Sequence, residues 1–192
     1  MRRLFLIFVL ISICNFSNAQ SNYFPLEKGA TFTYAYGSEL YQGAYDDKRF
    51  KVKILNTTKM IDGKEYFISE TSSGSGDNYA LIATSYMRAG KDGSIYSLPD
   101  EDGEEYITIP AALKIGKTWT TTNGEVTYTT RVADLNGTIN TATKSYSNCL
   151  VLEQKDQNGM LTRTYSQEGV GMVATTLIKE GSEQIFIYLV TE

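Results

Sequence analysis

Phe50-Lys51-Val52-Lys53-Ile54-Leu55, then Asp62-Gly63, then Tyr66-Phe67-Ile68: this stretch decides the fold. The first run alternates polar and apolar residues, the period of a strand with one buried face. Asp-Gly suits the two positive φ angles at the centre of a type I′ turn. The third run is rich in β-formers. Together they spell a hairpin. Asn-Gly or Asp-Gly occurs again at Asp92-Gly93, Asp102-Gly103, Asn123-Gly124, Asn136-Gly137 and Asn158-Gly159, and each pair is expected to mark a turn.

Working outward, strand-like runs cover Thr31 to Tyr36, Tyr79 to Ile82, Ile95 to Leu98 and Tyr106 to Ile109. They continue over Val126 to Val132, Cys149 to Glu153, Leu161 to Tyr165, Met172 to Ile178 and Ile185 to Val190. The last run is apolar on both faces, as for a strand covered on two sides. No helical stripe persists for three turns; Ala111 to Lys114 offers one turn at most. The fold class is therefore all-β: ten to twelve antiparallel strands in a hairpin-rich sandwich or a curved, barrel-like sheet.

The N-terminus reads differently. Met1-Arg2-Arg3 is basic, Leu4 to Ile13 has only Ser12 polar, and small residues stand at Ser17 and Ala19. That order is a secretory signal peptide over residues 1–19, cleaved before Gln20. The alternative is lipidation at Cys14, which Ile13 fits poorly because a small residue normally precedes the cysteine. Nothing later is long enough to span a bilayer as a helix, so residues 20–192 are expected to form one exported domain: periplasmic, outer-membrane-associated or secreted. Without Arg2 and Arg3, sixteen basic residues face twenty-two acidic ones, a net charge of −6. That balance argues against nucleic acid as a partner. Lys48, Arg49, Lys51 and Lys53 form a basic cluster that reads as one solvated strand.

A weak repeat divides the domain into possible halves, 22–108 and 109–192. Phe24-Pro25-Leu26 leads to Gly29 and Phe32; Ile109-Pro110 leads to Leu113, Gly116 and Trp119. The shared spacing places Phe32 and Trp119 at equivalent, buried positions. Tyr86 to Gly90 has a rough counterpart in Tyr165 to Gly169.

On these motifs the chain resembles a group of exported, β-rich proteins of Bacteroidota without an assigned activity. Tyr23-Phe24-Pro25-Leu26 with Gly29, Phe32 and Tyr34 is similar to their opening, although Trp is usual at Phe32. Tyr165 with Gly169-Val170-Gly171 and Val173 is similar to their closing strand. Thr143-Lys144-Ser145-Tyr146 stands where they carry a Pro-x-Gly-x-Phe segment. The resemblance implies export and a β fold, and it supplies no mechanism.

The chemistry is limited by what is missing. There is no histidine, so Ser-His-Asp and Cys-His catalysis in their usual forms are excluded, as is His-ligated zinc. Cys149 is the one cysteine of the exported chain and reads as a small buried hydrophobe. Gly169-Val170-Gly171 imitates a dinucleotide fingerprint, but a strand follows where a helix is needed; no cofactor is expected. Carboxylates remain. Asp100, Asp102 and Glu104 straddle an Asp-Gly turn, either as an acidic hairpin tip or as weak calcium ligands. Tyr34 and Tyr36 share a strand face, with Tyr41 nearby. They read either as core-edge packing or as a ligand-binding aromatic surface. The leading expectation is a non-catalytic envelope module that binds a glycan, lipid or protein. The alternatives are a carboxylate-based, glycosidase-like hydrolase and a structural subunit of an envelope assembly.

Overall fold

A computed structural model describes residues 23–41, 43–123 and 126–190. The signal peptide assigned to residues 1–19 and Gly124 of the Asn123-Gly124 turn lie outside them. Six strands come first: β1 (Thr31–Tyr36), β2 (Arg49–Ile61), β3 (Lys64–Ser75), β4 (Asn78–Ala89), β5 (Ile95–Leu98) and β6 (Tyr106–Ile109). Six more follow: β7 (Thr118–Asn123), β8 (Val126–Asn140), β9 (Ser145–Asp156), β10 (Leu161–Gln167), β11 (Gly171–Lys179) and β12 (Ser182–Leu189). The helix α1 (Ser38–Tyr41) is a single turn. No described helix is long and apolar enough to cross a membrane.

All twelve strands lie in one antiparallel sheet, each paired with its neighbours in sequence except across β6 and β7, and β12 returns to pair with β1. The two ends of the sheet, β6 and β7, are consecutive in the chain. The indole N–H of Trp119 donates to the carbonyl of Ile107 at 3.1 Å, and the Thr121 hydroxyl reaches the same oxygen at 3.5 Å. Side chains thus bridge the seam, and the sheet is a nearly closed barrel rather than a sandwich.

Turn chemistry sets the register. Asp62 and Gly63 have φ of 48° and 73° between the paired residues Ile61 and Lys64, a two-residue type I′ turn as expected. Glu180-Gly181 makes a second turn with positive φ at both residues, without an Asn or Asp to announce it. Asn136-Gly137 departs from expectation. It lies inside β8, where three register shifts against β9 bend the strand, and the hairpin closes later, at Asn140 and Ser145. A bulge and a turn both recruit Gly, so the dipeptide alone does not separate them.

The two Gly-centred turns match in the backbone. Gly29 and Gly116, at φ of 83° and 84°, close matching turns: Ala30 N–H donates to Glu27 C=O, and Lys117 N–H to Lys114 C=O. Gly29 N–H then donates to Ile54 C=O at 2.9 Å, and Gly116 N–H to Val132 C=O at 2.8 Å. Ile54 and Val132 return the bond to Ala30 and Lys117. Phe32 therefore matches Trp119, opposite Val52 and Thr130 respectively. Both rings are half-buried rather than fully buried.

Three apolar clusters hold the sheet. Ile95, Ile109, Val132, Leu150 and Leu152 pack together, with Phe24, Leu26 and Trp119 against them. Tyr34, Tyr146, Cys149, Val151, Tyr165, Val173 and Leu189 form the second cluster, and Tyr66, Tyr86 and Leu98 the third. The run of four buried residues Cys149 to Leu152 makes β9 the strand covered on both faces. In β12, given that role from sequence, Phe186 is 36% exposed beside a register shift in β11–β12.

Candidate functional site

Alternation puts one residue in two of each strand on the same face, and cross-strand pairing extends that face sideways. Ile54, Ser69 and Ser85 are successive partners on β2, β3 and β4. Phe32, Val52 and Thr71 form the adjacent row on β1, β2 and β3. With Tyr34, Met87 and Met172 they line a cavity of about 210 Å³. Phe24 and Pro25, from the segment preceding β1, supply another wall.

Tyr34 is 3% exposed. Its hydroxyl donates to the carbonyl of Met172 at 3.2 Å, and its ring stacks on Phe50 at 5.0 Å. Burial, and then the neighbouring Tyr146, push that hydroxyl above the usual tyrosine range. The proton stays on, and its donor capacity is committed. Gly171, at φ 93°, brings β11 so close to the N-terminal segment that a Cβ there would stand 2.9 Å from Pro25 Cδ. No charged residue lines the cavity.

At the matching place in the second half a larger side chain stands. The partner of Ile54 is Ser69, whereas the partner of Val132, its counterpart, is Leu152. A serine on the inner face of β3 leaves room that a leucine fills on β9.

Of the three tyrosines proposed as ligand residues, only Tyr34 reaches the cavity. Tyr36 and Tyr41 pack edge to face at 5.4 Å. Tyr45 and Phe186 join them in a separate aromatic group beside α1. The basic cluster spreads out: Lys48 sits over the ring of Tyr45, and Lys51 over that of Tyr79 at 3.8 Å.

Asp100, Asp102 and Glu104 do not converge. Asp100 Oδ1 accepts the backbone N–H of Asp102, and Glu104 is exposed. Their neighbours turn to cations: Glu101 to Lys59, and Glu105 to Arg88 through two bonds of 2.5 and 2.6 Å. Among the described residues, no three acidic, His or Cys side chains are grouped to hold a metal ion.

Glu105 also accepts from Tyr66 at 2.5 Å and Lys64 at 3.0 Å. Burial raises its pKa, but Arg88, Tyr66 and Lys64 outweigh burial and hold the carboxyl at about 2. Across the second half, Arg131, Glu153, Arg163 and Glu183 form a continuous ion-pair ladder. Burial raises the Glu153 pKa too, and the two arginines again bring it below the usual range. Glu183 accepts from the Tyr165 hydroxyl, which burial and then that carboxylate push up to about 12. Cys149 is fully buried, and burial raises its thiol.

These features define a barrel-like antiparallel meander with a small, largely apolar, partly open cavity, its most tightly held carboxylates locked in ion pairs. No family model matches the chain, and no curated protein matches it. Its fold is similar to the crystal structure of a candidate exported protein with a YmcC-like fold from Bacteroides fragilis, with a TM-score of 0.55. That likeness covers 87% of this chain and 96% of the other at 11% identity. At that identity it carries the fold alone.

Sequence reading missed Ser69, Thr71, Ser85, Met87 and Met172. The available signal was a small polar residue in an inward register, Ser69 after Tyr66-Phe67-Ile68. It acquires meaning only beside Leu152, and that comparison needs the strand pairing.

Proposed function

We propose that this is an exported, non-catalytic protein that holds a small apolar ligand in the cavity between β1–β4 and Met172. The carrying observation is the space itself, which exists because Ser69 occupies the position of Leu152. Its apolar walls suit a ligand that leaves water for hydrophobic reasons. The leader at residues 1–19 and the structural neighbour's description both support export. The electrostatics favour binding over hydrolysis. A general acid needs a carboxyl whose pKa is raised towards neutrality, whereas the arginine-bound Glu105 and Glu153 are lowered.

The test is ligand-observed NMR of the exported chain with benzene, toluene and benzyl alcohol. Saturable binding, lost in a folded Ser69→Leu variant, is the expected result. Absence of binding by all three to a folded protein refutes the reading.

A further inference from the structure

The cavity has a polar stripe that an apolar ligand does not use. Ser69 and Ser85 are direct cross-strand partners on its wall, and Thr71 lies two residues along β3. Ser69 is only 1% exposed. Among the described residues none of the three hydroxyls has a side-chain hydrogen bond, whereas the Ser97 hydroxyl meets that of Thr108 at 2.6 Å. Among the described residues the one fully buried side-chain polar atom without a partner is the Tyr146 hydroxyl, so the three wall hydroxyls are open to the cavity, and their partner there is water or a ligand atom. The remaining hydroxyl on the wall, Tyr34, is taken by Met172.

Charge and size narrow the ligand further. With no ionised side chain on the walls, a charged group would enter without compensation, which is strongly unfavourable. At about 210 Å³ the space exceeds the roughly 150 Å³ of a dry engineered cavity that binds benzene. One ring, or a short chain of similar bulk, fits with a small substituent.

We infer that the ligand is an uncharged molecule of about one ring's bulk that carries a hydrogen-bonding group, an alcohol, amide or ester, met by Ser69 and Ser85. This rests on the cavity reading above and adds a specificity to it. The serines are neutral donors and acceptors, so they accept either a hydroxyl or a carbonyl and give no compensation to a carboxylate.

Three probes of similar bulk separate the possibilities: toluene, benzyl alcohol and benzoate. Dissociation constants are measured by NMR for the unaltered chain and for Ser69→Ala/Ser85→Ala. The unaltered chain should bind benzyl alcohol and reject benzoate. The double variant should lose about five- to tenfold of the preference for benzyl alcohol over toluene, the scale of one net hydrogen bond. Retained toluene binding by the variant shows that the cavity is intact. An unchanged preference, or benzoate binding more tightly than benzyl alcohol, overturns this inference and leaves the cavity reading standing. Failure of every probe on the unaltered chain overturns both.

Discussion

The two halves of the barrel begin with the same turn and the same three backbone hydrogen bonds, and then diverge at one pair of positions. On β2, Ile54 faces Ser69 and then Ser85; on β8, Val132 faces Leu152 and then Thr164. The second half spends that position on packing against Leu150, Ile95 and Ile109, whereas the first half leaves a cavity there. Backbone geometry repeats because turn chemistry repeats, while volume is set by individual side chains.

The largest test of this comparison makes the second half resemble the first. Leu152→Ser should cost about 2–5 kcal/mol, as for emptying a buried leucine site. The reverse change, Ser69→Leu, should be neutral or stabilise by up to about 2 kcal/mol by filling space. Urea unfolding measures both. Equal destabilisation by the two changes would show that the halves are packed alike and break the comparison.

Phe32 and Trp119 provide the next test. Trp119→Ala should cost about 3 kcal/mol, the low end for a large aromatic because the ring is half-buried. It also removes the bridge to Ile107 across the β6–β7 seam. Phe32→Ala should cost less, since that ring already borders empty space. Thermal and urea denaturation of the two variants rank them.

A smaller effect is expected at Gly171. An alanine there meets both a positive φ and Pro25, so Gly171→Ala should destabilise by about 1 kcal/mol or somewhat more. It should also weaken toluene binding by displacing the Phe24-Pro25 wall. The matched change Gly159→Ala carries a positive φ but meets no atom within 4 Å. It should affect stability without affecting binding.

The smallest effect sharpens the electrostatic side. Glu105 has a folded pKa of about 2 against an ordinary 4.5, so its contribution to stability is fully present above pH 4.5. That contribution is lost as pH falls from 4.5 towards 2. Glu105→Gln should flatten the acid limb of the stability profile, and Glu153 maintains part of the slope. An unchanged acid limb, measured by urea unfolding across that range, would remove Glu105 from the account.

Much of the architecture was legible before the structure. Asp62-Gly63 between β-rich runs meant a hairpin, and Phe32, Tyr34 and Tyr36 shared a face because strand periodicity leaves no other choice. The Gly29 and Gly116 spacings indicated the repeat. These features are local, each decided by a few neighbouring residues. Where one local signal serves two ends, as Gly does in turns and bulges, the reading failed at Asn136-Gly137.

The sequence by itself determined an antiparallel β protein of about ten to twelve strands with a recurring Gly-centred turn, and it withheld the residue types of the usual histidine-based active sites. Only the tertiary structure decided that one sheet nearly closes on itself, bridged by the bond from Trp119 to Ile107, and that Tyr34 lines a cavity while Tyr36 and Tyr41 do not. It also decided that Ser69, unremarked in sequence, opens that cavity. The physical reason is that a strand's own period says which residues share a face, whereas the space in front of that face depends on partners far away in the chain. Ser69 and Met172 are about a hundred residues apart, and no local rule relates them.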